Sequence, residues 1–414
     1  MKRVWALLQY VSSFFLARGL LFASPLLLAS SLASADYAQI EWALASATLL
    51  SAIVTLGTGG LVPIVVVGTA SAGITLRGIY AHHAAVVALA LAGLAATWLA
   101  AGPWQLPLLV ATLSLVTLKS TELKSHGHAT ASLFLDSAMI AAMAALAYIG
   151  QRFVAGPVLS PWLSPALTML ILCAGLWRAP VWQTRTALAP EWRRVMRAGV
   201  PLMVTGALAT LITTSGRAGA GMLLDAPDAA AYSVLSRGAA LPIVAHQIMV
   251  VAAFRRVFLA DQAGLQKLLL GVVCGVTAVA LLLWWLLPLV AWLLGPAFAD
   301  ASRAQRWPLL LLLAQAVLWS AIALNDLVSV RHERSEAVLR WSLPGAVLIL
   351  ALAYGAFQAG TPTVSLFATI HSVAMLAFYL LQCLAMHSVG VRLPAPWALA
   401  TLGFLAIIGL GSIA

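Results

Sequence analysis

Three arginines and three carboxylates stand where charge is expensive. Arg18, Arg217 and Arg237 each interrupt an apolar run of the 414-residue chain. Asp136 and Asp326, the latter beside Asn325, also fall well inside such runs, and Glu41 lies near the end of another. Guanidinium groups in a membrane match phosphate oxygens through paired, charge-assisted hydrogen bonds. A buried carboxylate can carry a proton or bind sodium during a transport cycle. An arginine at a helix centre costs about 3 kcal/mol, so three cost on the order of 9 kcal/mol unless water or a partner meets them. Each charge also has a plainer reading: snorkelling for Arg217, which precedes Asp225 by 8 residues, and a static ion pair or end solvation for the aspartates.

Other chemistry is excluded or weak. Cys173, Cys274 and Cys383 lack ligand spacing and read as small core residues, and no metal or cofactor is expected. His82-His83 and His126/His128 read as solvated loop histidines, and His246 and His371 as single membrane histidines. The glycines of TLGTGGLVP follow no strand and precede no Walker lysine, so they read as a kink or a close-packing point. No nucleophile or base constellation appears, and the chain is not expected to be an enzyme.

The elements that position these groups follow from composition. Hydrophobic residues make up 63% of the chain, charged ones 8%, and the mean hydropathy is +1.00, which no water-soluble domain shows. Breaks at charged, Pro-rich or Gly-rich positions predict thirteen membrane helices, at 5–33, 39–68, 80–101, 106–120, 129–150, 161–178, 198–223, 230–254, 268–294, 308–330, 338–357, 363–387 and 396–413. The opening segment imitates a secretory signal peptide, but its apolar run is too long and is broken by Arg18. With the N-terminus in the cytoplasm, 17 of the 23 lysines and arginines fall on the cytoplasmic side and only Arg152, Arg303 and Arg306 outside; the other three lie within spans. The net charge of +11 is thus mainly a topology signal, and nucleic acid is not an expected partner.

Helical geometry sorts the side chains. At about 100° per residue, Gly206, Thr210, Thr213, Thr214, Arg217 and Gly221 share one stripe of the seventh helix. Ser233, Ser236, Arg237, Ala240 and Gln247 make a stripe on the eighth, and Gln315, Trp319, Ile322, Asp326 and Ser329 share a face of the tenth. Polar stripes point to helix packing or a wet cavity, so Arg18, Arg217, Arg237, Thr210, Thr214 and Gln247 are candidate cavity residues. Asp326, Asp136 and Asn325 are candidate ion-coupling residues.

An internal repeat is expected. Arg18 to Arg217 is an offset of 199 and Tyr37 to Tyr232 one of 195, registers that agree within one turn. The expected organisation is an N-terminal six-helix bundle at 1–180, a cytoplasmic linker at 181–197, a C-terminal six-helix bundle at 198–390 and an additional helix at 391–414.

The segment VMRAGVPLMVTGALATLITTSGRAGAGMLLDAPDAAAYSVLSRGAALPIVAHQI resembles the seventh and eighth helices of bacterial polysaccharide exporters, the O-antigen and capsule flippase branch of the multidrug/oligosaccharidyl-lipid/polysaccharide superfamily. Gly199, Pro201, Arg217, Tyr232 and Ser233 occupy the places of that family's motif. The block from LLGPAFADASRAQRWP to the eleventh helix, and the opening helix pair, are similar as well. The chain departs from the pattern at Ser215-Gly216, where an acidic residue usually precedes the arginine, and at the Tyr232 turn, which lacks the usual Gly. The resemblance implies an all-α polytopic membrane protein of 12–14 helices, two six-helix bundles around a central cavity that opens alternately to each side. It implies a flippase for a polyprenyl-pyrophosphate-linked oligosaccharide in lipopolysaccharide or O-antigen synthesis. Further implied partners are membrane lipids, H+ or Na+, and a polysaccharide polymerase or other assembly protein; the implied location is the bacterial inner membrane. The alternatives are a cation-coupled multidrug antiporter of the same superfamily and a polysaccharide polymerase or ligase. The first prefers acidic cavities and the second a large external loop.

Overall fold

A computed structural model describes residues 2–66, 74–153, 160–179, 182, 188–332 and 334–410. Arg185, the stretch 183–187 of the expected linker, and the tails of the expected spans at 67–68 and 411–413 lie outside the described residues. Among the described residues the regular structure is entirely helical. Nine helices there are both long and apolar enough to cross a membrane, and two shorter apolar ones accompany them. That defines a helical, multi-pass membrane protein.

The chain divides into two compact units, Met1–Ala218 and Gly219–Ala414. The first contains α1 (Lys2–Ser31), α2 (Ser34–Val54), α3 (Leu61–Val66), α4 (Leu76–Leu99), α5 (Gln105–Ser125), α6 (Ala129–Phe153), α7 (Leu163–Trp177) and most of α8 (Leu188–Leu223). Its core is α5, which packs on α2, α3, α4, α6 and α7 and buries the run Leu108–Thr112 together with Ser114–Val116. A helix buried on every side needs apolar residues all round, which is why it shows little amphipathic pattern. α1 lies along α6.

The second unit contains α9 (Ala226–Gly238), α10 (Leu241–Leu259), α11 (Gln262–Trp285), α12 (Leu287–Leu294), α13 (Pro296–Ala304), α14 (Arg306–Arg331), α15 (Ser335–Gln358), α16 (Val364–Ser388) and α17 (Pro394–Leu410). Its core is α14, whose residues Leu309–Leu318 are all buried, packed against α10, α11, α16 and α17. Gln315 bonds Ser372 and Asn325 bonds Gln382, both 57 residues apart, so α14 and α16 run parallel without stagger.

Each unit repeats a set of pairings. Numbered as the expected spans, the second and fourth (α2·α5, α10·α14), third and fourth (α4·α5, α11·α14), fourth and sixth (α5·α7, α14·α16) and fifth and sixth (α6·α7, α15·α16) members pack in both.

Three expectations change. Residues 188–197, expected as cytoplasmic linker, form the first turns of α8, a continuous helix of 36 residues or about 54 Å. The compact units part inside that helix, at Ala218, and not in 181–197. The expected span 230–254 is two helices with a turn at Ala239–Ala240, so the single stripe drawn through Ser233, Arg237 and Gln247 does not exist on one rod.

The second expected span is also broken. α2 ends at Val54, and Leu56 and Gly57 take positive φ (49° and 65°) before a short 3₁₀ turn at Thr58–Gly60 leads into α3. Glycine is required twice here. A Cβ at Gly57 would run into the backbone of Met203 at its positive φ, and one at Gly199 would overlap the Leu56 carbonyl. The TLGTGGLVP cluster is thus both a break and the point where α8 presses on it.

Candidate functional site

Arg217 lies six residues before the end of α8, and Glu41 lies seven residues after the start of α2. The two meet at the same depth: Arg217 Nη1 is 2.8 Å from Glu41 Oε2. The Glu41 side chain is 1% exposed and that of Arg217 16%. One turn earlier on α2, Tyr37 donates its hydroxyl to Glu41 Oε1 at 3.3 Å. Both carboxylate oxygens are therefore engaged, as a buried charge demands. The acid that balances Arg217 comes from α2, 176 residues away in sequence.

The threonine stripe beside Arg217 turns inward. Thr210 donates to the Gly206 carbonyl at 2.8 Å, Thr213 to Thr210 at 2.9 Å and Thr214 to Thr210 at 2.7 Å. Their hydroxyl protons are spent on their own helix, which leaves only acceptor lone pairs for a ligand. Neither Thr210 nor Thr214 is a donor to cargo in this arrangement.

Arg18 differs. It lies 13 residues before the end of α1, about 20 Å along the axis, whereas Arg217 is about 9 Å from the end of α8. Measured from their turns, the two arginines sit at different depths, so the expected agreement of register does not hold in space. The Arg18 guanidinium lies 5.6 Å over the Phe14 ring, and its Nε is buried with no hydrogen-bond partner among the described residues. Arg237 is half-buried in the last turn of α9, where a cation complements the helix dipole, and Gln247 is half-buried on α10 beyond the turn.

Of the coupling candidates, Asp136 is a surface group. It lies in the second turn of α6 and pairs with Lys124 at 3.1 Å across the α5–α6 turn, both side chains well exposed. The described geometry is that of a solvated ion pair. Asp326 and Asn325 belong to the core of the second unit. Gln382 donates to Asp326 Oδ1 at 2.7 Å and accepts from Asn325 at 3.1 Å, while Trp397 of α17 donates its indole N–H to Asn325 Oδ1 at 3.0 Å. Among the described residues no cation lies within ion-pair distance of Asp326. One step along the same pair of helices, His371 Nδ1 meets Gln315 Oε1 at 3.1 Å and Gln315 donates to Ser372 at 2.7 Å.

Sequence reasoning missed the histidine pair of α4. His82 and His83 are buried, 5% and 0% exposed, and not solvated in a loop. Thr58 gives its hydroxyl proton to the Thr55 carbonyl at 2.6 Å, so it must accept from His83 Nε2–H at 3.0 Å. His83 Nδ1 is then the acceptor for Ser114, at 2.8 Å. His82 Nε2–H donates to the Val54 carbonyl at 2.9 Å, and its Nδ1 accepts from Trp192 at 3.4 Å. His82 closes the Val54 carbonyl left open where α2 stops, while His83 reaches the break only through the Thr58 hydroxyl, so the two neutral imidazoles brace the interrupted helix. The visible signal was adjacency to that break: a helix interrupted in a membrane needs polar side chains nearby. Cys274 is also corrected: it is exposed on α11, while Cys383 is buried. Among the described residues no group of His, Cys, Asp or Glu is gathered as a metal site.

The site is therefore a set of intramembrane charges and amides held by a multi-pass helical frame. Comparison of the chain with protein families, with curated proteins and with solved structures returns no match.

Proposed function

We propose that the protein is a flippase that moves a polyprenyl-pyrophosphate-linked oligosaccharide, or a related polysaccharide precursor, across the bacterial inner membrane. In this reading the N-terminus is cytoplasmic, and a repeated six-helix unit works by alternating access. The helix pairings that recur in both units support the repeat behind that reading. The observation that carries the cargo assignment is Arg18: a permanent cation mid-helix, stacked on Phe14, with a buried Nε that no acceptor among the described residues satisfies. A pyrophosphate supplies the acceptors that such a group lacks. Arg217 plays a different part, since Glu41 already balances it; a phosphate reaches it only by displacing a carboxylate. The work is transport, with no covalent step.

Arg18→Ala and Arg217→Ala are expected to block glycan export while the protein still inserts; wild-type export in Arg18→Ala refutes the assignment. In a deletion strain, lipid-linked sugar accumulates on the cytoplasmic face. Accumulation on the outer face instead supports a polymerase or ligase.

One observation favours the runner-up, a cation-coupled antiporter. Asp326 is a half-buried membrane carboxyl held by an amide and, among the described residues, by no cation. That reading requires Asp326→Asn to abolish proton- or sodium-driven uptake in vesicles, whereas in the flippase reading the same carboxyl couples glycan movement.

A further inference from the structure

Between α11 and α14 the chain makes an elbow, α12–α13, that the transport reading does not use. α11 and α14 have 24 and 26 residues, about 36 and 39 Å, so their joined ends extend past the ~30 Å hydrocarbon layer to headgroup level. α12 reads LPLVAWLL and has no buried residue; Leu289, Trp292 and Leu293 are 50%, 77% and 64% exposed. α13 is tied down by Phe298, which is buried against Gly238 of α9. The elbow frames a cavity of about 820 Å³ lined by Trp284, Trp285, Trp292, Ser302, Arg303 and Arg306 among others.

The charges in this cavity are unusual for their place. Arg303 and Arg306 are two of only three basic residues on the side that the lysine and arginine distribution assigns as outer, so topology disfavours them. Arg303 is partly neutralised by Asp300, at 2.6 Å, and its Nε donates to the Ala299 carbonyl at 3.2 Å. Arg306 has no carboxylate within ion-pair distance among the described residues, and its guanidinium lies 5.8 Å over the Trp284 ring. A planar cation fixed on an indole keeps its N–H edge free for an anion, and three tryptophans give amphipathic walls for glycerol and the upper acyl chain.

We propose that the α12–α13 elbow binds the phosphate headgroup of an anionic glycerophospholipid. Arg306 is the anchor, Arg303 flanks it, and the acyl chains lie along the bare apolar flank of α12. The site is separate from Arg18 and stands or falls independently of the cargo.

The test is lipid titration of the detergent-purified protein by native mass spectrometry, with phosphatidylglycerol and phosphatidylcholine as probes. Wild type is expected to bind phosphatidylglycerol about tenfold more tightly, and Arg306→Gln to remove that preference while leaving phosphatidylcholine binding unchanged. Arg306 is exposed, so the variant is expected to fold; Trp292→Leu should weaken both lipids equally. Equal binding of the two lipids by wild type, or an unchanged preference in Arg306→Gln, overturns the proposal. So does a polyprenyl phosphate that displaces phosphatidylglycerol at equal concentration, since the elbow would then belong to the cargo path.

Discussion

Replacing Glu41 by Gln leaves Arg217 in place with an amide where its counter-charge was. At 2.8 Å and an effective dielectric constant of about 20, the lost attraction is about 6 kcal/mol. Part of that is offset because a carboxylate with 1% exposure no longer has to be desolvated. Breaking a buried pair from one side is expected to cost about 3–5 kcal/mol. For a unit the size of Met1–Ala218 this corresponds to a loss of about 6–12 °C in thermal midpoint. Thermal unfolding in detergent of wild type, Glu41→Gln, Arg217→Gln and the double variant closes the cycle. The double variant should be no less stable than either single one, giving a coupling of at least about 2 kcal/mol. Additive losses would refute the argument, because they would mean that each group is satisfied by water or by other neighbours.

Other outcomes follow from the geometry. Gly199→Ala should destabilise the protein by several kcal/mol in the same unfolding assay, since its methyl group meets the Leu56 carbonyl and neither backbone can retreat. His83→Phe strands the Ser114 hydroxyl in the core, while Thr58 keeps its bond to the Thr55 carbonyl, and should cost about 1–3 kcal/mol. Gln382→Leu should release Asp326 and Asn325 together and cost at least 2 kcal/mol, whereas Asp136→Asn, on a solvated pair, should change the midpoint by less than about 0.5 kcal/mol.

The helices were legible because membrane helices announce themselves by unbroken apolar runs; each expected span overlaps a described helix or helix pair, though nine described helices, and not thirteen, are both long and apolar enough to cross a membrane. What escaped was bending. The break at Leu56–Gly57 was visible as glycines, and the turn at Ala239–Ala240 was flagged by Gly238 before it and Pro242 after it, but the apolar run continues through both and one stripe was drawn through two rods. Site partners escaped for a related reason. Glu41 and Arg217 are far apart in sequence, and only their matched distances from two helix ends tie them together. His82 and His83 looked solvated because a histidine pair near a basic segment usually is, and nothing local states that His82 caps the end of another helix while His83 joins Thr58 to Ser114. The threonine stripe pointed correctly to one face but did not disclose that its protons were already committed.

The Glu41–Arg217 pair also sets a timetable for biogenesis. The carboxylate reaches the membrane with α2, but its guanidinium partner is encoded 176 residues later. At about 5–20 residues per second, synthesis leaves Glu41 waiting about 9–35 s. During that interval the acid has to remain protonated, borrow another partner or hold α2 in the insertion machinery. The first unit is therefore finished only once α8 has emerged, which makes that helix the closing piece of the half that precedes it.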